Sequence, residues 1–382
     1  MIMKPAIIVI AYNRYRALKR LLGSIGDAYY GPEDIPLVIS IDKGGSQEVE
    51  RVARDFIWKH GEKRVIVRNE NLGLKRHVIE CSDLTKEYGS AIILEDDLYV
   101  ARDFYEYAAA ALEFTDKDKR IAGVSLYDHL LNVHAREPFE AIDDGYDNWY
   151  FQFASSWGQA YTKDQWEGFK TWLSENDNTP FPDTVPENVR SWGNGSWLKY
   201  YIRYMIEKDL YFLYPRVSRT TNFSDEGTHR MGQPEDLQVP LSMAGAGRGF
   251  RFSALSESKS VYDAYFENEW LRDSFPEAPV MDLYGKKPKA PYSGYMLTRN
   301  PGRYDIIRSY GRSLRPLDAN IINDIPGEVF FLIDLKQGGE YDVPRKGGDR
   351  DLADRAMYNY RAFRVKYGLA MAFKRFSGFF FR

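Results

Sequence analysis

The sequence predicts an α/β protein: a doubly wound, mostly parallel sheet flanked by helices, followed by a C-terminal α+β extension. Three observations predict it. First, short apolar runs rich in β-branched residues recur at 6–11 (AIIVIA), 36–41 (PLVISI), 64–68 (RVIVR) and 91–94 (AIIL). Runs without polar alternation suit strands covered on both faces. Second, segments with helical spacing lie between them, and that alternation implies parallel strands joined by right-handed crossovers. Third, the fourth run ends in consecutive acids, Glu95, Asp96 and Asp97, at the strand end where open α/β sheets hold ligands.

Each element has its own signal. After the first run, Leu18, Leu21, Leu22 and Ile25 repeat at helical spacing, with Asn13 as the expected cap. The second run ends in Asp42-Lys43-Gly44-Gly45, which reads as a loop around a ligand or as an ordinary tight turn. Residues 48–60 read as an amphipathic helix, 69–73 (NENLG) as a loop and 74–87 as a helix. A helix over 105–115 and a fifth strand over 120–126 follow, the latter ending in Tyr127-Asp128-His129. Residues 163–173 and 191–207 look helical, 176–186 is a loop with three prolines, and 211–214 is a short strand. The polar stretch 216–233 reads as a mobile loop. Further on, 262–272 has a helical pattern, 305–310 is a strand or short helix, and 328–335 is a strand. The expected division is a first domain over 1–235 and an extension over 236–382.

Composition excludes several classes. Net charge is -3, so broad nucleic-acid binding is not expected. The single cysteine, Cys81, permits neither an intramolecular disulfide nor a cysteine metal cluster, and suits a reducing, cytoplasmic setting. No stretch is long and apolar enough for a transmembrane helix, and the start lacks a signal-peptide pattern. Aromatic residues make up 15%, with faces suited to sugars or bases as well as to a core. The first strand is followed by neither G-x-G-x-x-G nor a Walker lysine loop, which argues against dinucleotide and P-loop enzymes.

Three adjacent carboxylates cannot all enter a core unpaired. A divalent cation at the strand end accounts for them. The alternative is that Asp96 or Asp97 caps the helix that follows.

Taken together, Ala6-Ile-Ile-Val-Ile-Ala-Tyr-Asn-Arg14, Ile41-Asp42, Asn69-Glu-Asn-Leu-Gly73 and Leu94-Glu-Asp-Asp97 resemble GT-A fold glycosyltransferases. The closer resemblance is to the family of the N-acetylglucosaminyltransferase that begins complex N-glycans, with its O-mannosyl relatives. Arg76-His77 and Ser218-Arg-Thr-Thr-Asn-Phe223, with Gly227 and His229, carry it further. The resemblance spans about residues 5–235.

It implies a metal-dependent, inverting transfer of GlcNAc or a related hexose from a UDP-sugar to a glycan or glycolipid acceptor, as in polysaccharide biosynthesis. Arg14, Asp42 and His77 would hold the uracil. Glu95 and Asp96 would lie near the ribose and donor, and Asp97 would ligate Mn²⁺ or Mg²⁺. The segment from Ser218 to His229 would close over the pyrophosphate, with Arg219 offering its fork to phosphate. One departure concerns the base. The family's catalytic Asp lies in a W-D-D-W motif shortly before S-R-T; the corresponding stretch here is Trp197-Leu-Lys-Tyr200, without an acid. Asp128, Asp164, Asp225 and Glu226 are the nearby acids, of which Asp225 or Glu226 is the expected base. Trp149, Trp157, Trp192 and Trp197 are candidate sugar-stacking faces. A non-catalytic sugar-binding protein, or a nucleotidyltransferase, is the alternative reading.

The tail from 361 to 382 mixes basic and aromatic residues, and no acid follows Asp354. It suits peripheral contact with an anionic membrane, or packing on its own domain or in an oligomer.

Overall fold

The central sheet begins with β1 (Ala6–Ala11), every residue of which is buried. Its side chains alternate between two layers. Ile7 and Val9 join a core with Leu18, Leu21 and Leu22 of α1 (Tyr15–Gly26), whereas Ile8 and Ile10 join the opposite core with Val78 and Cys81 of α3 (Gly73–Ser82). The apolar run is continuous because helices cover both faces. Each such side chain contributes roughly 1.5–3 kcal/mol by leaving water.

This is a computed structural model, and it describes residues 3–31, 34–223, 237–288 and 290–336, with the single positions 359, 368, 369 and 373. β2 (Leu37–Ile41) and β3 (Lys63–Val67) extend the sheet on one side of β1, separated in sequence by α2 (Gln47–Asp55). β4 (Ser90–Glu95) lies on the other side of β1, after α4 (Thr85–Tyr88). All of these pairings are parallel. Beyond β4 come, in spatial order, Gln159–Thr162, β6 (Ile121–Ser125), Tyr211–Pro215, Asn148–Phe151 and Val261–Tyr262. Here antiparallel pairs enter: Gln159–Thr162 runs against both neighbours, and Asn148–Phe151 against Tyr211–Pro215. The sheet is thus mostly parallel and flanked by helices, as expected. Its edge strand, Val261–Tyr262, comes from residues after 235. A separate four-stranded sheet (Val280–Asp282, Tyr295–Thr298, Asp305–Tyr310, Phe330–Asp334) follows, and Leu283, Leu297 and Phe330 share a core with Trp149 and Phe151.

Many of the described aromatics serve this core. Trp166 and Phe169 of the helix Lys163–Asn176 meet Tyr201 of the helix Trp197–Lys208, with the Phe169 and Tyr201 rings 4.3 Å apart. The first of these helices starts in a capping box between Thr162 and Gln165.

Several expected elements differ. Asn13 does not cap α1; the cap position is Arg14, whose side chain makes no capping bond. The acids after β4 do not cap a helix either. They lead into β5 (Leu98–Val100), and α5 (Phe104–Thr115) starts later, after Asp103. Within the expected loop over 216–233, Thr220–Asn222 is a strand paired with β5. Residues 262–272 form no continuous helix: only Glu269–Asp273 is helical, and Phe266 has a φ of 67°. The Asp263 carboxylate accepts the backbone N–H groups of Tyr265 and Glu267, a local turn that displaces helical bonding.

Candidate functional site

The C-terminal ends of β1, β2 and β4 open on one cavity of about 490 Å³. Tyr12, Asn13 and Arg14 enter it from β1, Asp42 from β2, and Glu95, Asp96 and Asp97 from β4. Gly73, Leu74 and His77 line it from the start of α3, and Trp157 closes another side.

The turn after β2 explains how two of these walls meet. A Cβ on Gly45 would lie 1.8 Å from the Tyr12 carbonyl oxygen, so only glycine lets the turn press on the end of β1. Asp42 fixes the third wall. Its Oδ1 accepts the amide of Leu72 at 2.8 Å, and its Oδ2 that of Gly73 at 3.0 Å, holding the 69–73 loop and the first turn of α3. The tight-turn and ligand-loop readings of Asp42 are therefore not exclusive: it organises the turn and also lines the cavity. His77 is buried, with Nε2 2.7 Å from the Ser40 hydroxyl. Burial pushes its pKa down to about 4, so the ring is neutral at pH 7. The adjacent Arg76 turns outward to Glu70 and Glu80.

Charge is unbalanced at the end of β4. Arg14 pairs with Asp96 and, at 2.9 Å, with Asp97. The Asp96 carboxyl also accepts the Tyr12 amide at 3.4 Å. One guanidinium thus faces three carboxyls. Burial, reinforced by the Asp97 charge, raises Glu95 to about 8. Burial raises Asp96 to about 6 against the opposing pull of Arg14. Arg14 itself is held more firmly protonated by both aspartates, which outweigh its own burial. Buried negative charge in excess is what a divalent cation offsets, and carboxylate oxygen is a hard donor suited to Mg²⁺ or Mn²⁺. Among the described residues no three His, Cys, Asp or Glu side chains are placed to hold a metal by themselves.

Ser218 and Arg219, for which the resemblance implies contact with phosphate on donor binding, do not line this cavity. The Ser218 hydroxyl accepts the Asp128 amide at 3.0 Å and donates to the Thr220 carbonyl at 2.7 Å. Arg219 is 2% exposed, its Nε is 3.0 Å from Asp103, and its guanidinium lies over the Tyr107 ring. Asp103 has no exposure at all and needs the counter-charge. The same segment reaches the site by another route: the Phe223 amide donates to the Asp97 carbonyl at 3.0 Å, and Asn222 lines the cavity.

Asp225, Glu226, Gly227 and His229 lie outside the described residues, as does most of the 361–382 tail. Among the remaining acids, Asp164 is exposed, and Asp128 is buried with Oδ1 accepting the Trp149 indole N–H at 3.0 Å. Lys199, where the family motif has acid, closes the turn before its helix, donating to the Trp192 carbonyl at 3.0 Å.

A second cavity, of about 400 Å³, adjoins the first and shares Leu74, Glu95, Ser156 and Trp157 with it. Trp192 and Trp197 line it; Trp149 is instead core. Sequence reasoning gave His129, also on its wall, no role, although the end of a strand at this edge of the sheet was a signal for it. Trp157 is held between the two cavities by local backbone. Gly158 has a φ of 91°, and a Cβ there would lie 2.7 Å from Thr220, whose hydroxyl donates to the Trp157 carbonyl at 2.5 Å.

Residues 2–137 match the model of the GNT-I family, which is a little over a third of the chain and contains β1 to β6 with the three acids. No curated protein matches the chain. Among solved structures, residues 1–349 of TarS from S. aureus in complex with UDP-GlcNAc show 15% identity and a TM-score of 0.38, covering 59% of this chain and 60% of that one. TarS itself shows 14% identity and a TM-score of 0.35 over 57% of this chain and 36% of its own. The mannosyltransferase PcManGT from Pyrobaculum calidifontis, in complex with GDP-Man and Mn²⁺, shows 15% identity and a TM-score of 0.32, covering 48% and 49%. These are distant likenesses spanning under two thirds of each relative. The family match supports a glycosyltransferase of the GT-A kind resembling GNT-I, the class that the motifs indicate.

Proposed function

We propose that the chain transfers GlcNAc or a related hexose from a UDP-sugar to a glycan or glycolipid acceptor, with inversion and with a bound divalent cation. The observation that carries this is the convergence of Arg14, Asp42, His77 and the Glu95–Asp97 acids on one cavity. A neutral His77 and an amide-bonded Asp42 form the polar, largely buried end suited to uracil. Glu95 and Asp96 flank the ribose and the sugar. Asp97, at 16% exposure the most open of the carboxylates in the ion-paired cluster, would hold Mn²⁺ or Mg²⁺, with diphosphate oxygens and water completing its shell. Such an ion supplies Lewis-acid stabilisation to the charge on departing UDP.

In the reaction an acceptor hydroxyl oxygen bonds to the sugar C1 while the C1–O bond to UDP breaks, and UDP leaves with that electron pair. The hydroxyl proton passes to a base, for which Asp225 or Glu226 is proposed. They stand shortly after Asn222 and Phe223, which already touch the site. The setting proposed is cytoplasmic, with the basic tail at the membrane face; no described helix is long and apolar enough to cross a membrane.

The test is UDP release from UDP-GlcNAc, UDP-Gal and UDP-Glc with Mn²⁺, with and without a glycan mixture as acceptor. Acceptor-stimulated release from one donor is expected, falling at least a hundredfold in Asp225→Asn or in Glu226→Gln. Full turnover in both variants removes the base assignment. Donor binding without any release under all conditions favours the non-catalytic reading.

A further inference from the structure

The second cavity has a polar group with nothing to bond. His129 is 2% exposed, and neither of its ring nitrogens has a hydrogen-bond partner among the described residues. Buried polar side-chain atoms are paired in the large majority of cases. The ring sits instead among Tyr127, Phe151, Phe153, Trp157, Tyr214 and Phe266, with centroids 5.1–6.2 Å away. A phenylalanine would fill that nest without leaving two polar atoms unmet, so packing does not explain a histidine there. The ring also lines the cavity, alongside Trp157, Trp192 and Trp197.

We propose that this cavity is the acceptor subsite, that it takes an uncharged pyranose, and that His129 recognises its hydroxyl groups; the assignment to an acceptor rests on the glycosyltransferase reading above. Aromatic walls match the C–H face of a sugar ring. Burial, with a smaller contribution from His134, pushes the His129 pKa down to about 3, so the imidazole is neutral. A neutral imidazole offers one N–H donor and one acceptor nitrogen, the complement of two sugar hydroxyls. The described lining carries a single acid, the shared Glu95, and a single cation, Arg136, which fits an uncharged ligand better than a phosphorylated or acidic one. Its volume lies within the range of small-molecule pockets. The shared wall at Glu95 and Trp157 would bring a bound hydroxyl beside the donor cavity.

The experiment titrates full-length protein with the methyl glycosides of glucose, galactose, mannose and N-acetylglucosamine, with and without UDP, by saturation-transfer NMR. At least one glycoside is expected to bind. His129→Phe should weaken it at least tenfold, leave the UDP titration unchanged and not lower the melting temperature. Leu198→Trp, which fills the cavity from a partly exposed wall, should give the same loss and covers the case in which the first variant fails to fold. Binding of none of the glycosides, or equal binding by both variants, overturns the proposal. Failure of UDP alone to bind, with glycoside binding intact and sensitive to His129, removes the nucleotide-sugar reading and leaves a glycan site.

Discussion

Arg219 and Asp103 form a pair sealed from solvent, with the guanidinium over Tyr107, while Arg14 stays partly exposed between Asp96 and Asp97. Both arginines belong to motifs that suggest contact with the nucleotide, and sequence alone offered no way to separate them. What separates them is the setting of the arginine itself: Arg219 is sealed against Asp103, whereas Arg14 keeps 24% exposure and lines the cavity with Asp96 and Asp97. Removing one member of a buried pair leaves an uncompensated charge and costs about 3–5 kcal/mol. Arg219→Met should therefore shift the urea midpoint strongly, while the UDP affinity of the folded fraction stays within about twofold of wild type. Arg14→Met should do the reverse, shifting the urea midpoint less and weakening UDP about tenfold in the absence of metal, as Asp96 and Asp97 then face the diphosphate without a counter-charge. Loss of UDP affinity in the folded Arg219 variant would return that residue to the phosphate site.

At the level of elements, β1, β2 and β4 were legible because two-sided burial leaves an unbroken apolar run, the edge strand β3 by its short β-branched run alone, and the acids stood out because they end one. Elements held by local polar chemistry were not legible. The segment over 262–272 has helical apolar spacing, yet Asp263 ties the backbone into a turn before a helix can start. Thr220–Asn222 is too short to show a period, and its partner β5 is far away in sequence. The Asp42 turn is the element on which the site depends, because it joins β1, β2 and the start of α3. Gly45→Ala places a methyl group against the Tyr12 backbone and should cost about 1–3 kcal/mol or more. Since the turn carries Asp42, UDP affinity should fall with it. Gly193→Ala, at an open position, should change neither thermal melting nor binding. A neutral outcome at Gly45 would mean that the turn moves without affecting the cavity.

Across the whole molecule, buried carboxyls make stability depend on pH in a direction opposite to that of an ordinary ion-paired protein. Asp128 illustrates this: burial raises it to about 7 from an ordinary value of 3.8, against the indole N–H of Trp149. A carboxyl raised in the folded state binds its proton more tightly there than in the unfolded chain. Its contribution is therefore full below about pH 4, falls as pH rises towards 7, and is lost above that. Asp128→Asn keeps an acceptor for Trp149 and removes the titration. It should flatten the stability profile between about pH 4 and 7 and raise stability at pH 8 by up to about 4 kcal/mol. Urea unfolding at pH 5 and pH 8 reads the difference; an equal shift at both pH values would assign the effect to packing instead. The two-cavity arrangement also belongs to this scale, because its walls come from the ends of β1, β2 and β4, the start of α3, the turn before Gln159–Thr162, and the start of the helix Trp197–Lys208. Only the first cavity was marked by motifs; for the second, the sequence offered Trp157, Trp192 and Trp197 as stacking faces but nothing to tell them from core.

The central claim is a UDP site with a cation held by Asp97, and isothermal calorimetry of UDP with and without Mn²⁺ tests it most directly. Wild-type protein should bind UDP at least tenfold more tightly with Mn²⁺, and Asp97→Asn should abolish that gain while keeping its thermal melting profile. Absence of UDP binding in both conditions, or a metal-dependent gain undiminished in Asp97→Asn, would contradict the claim.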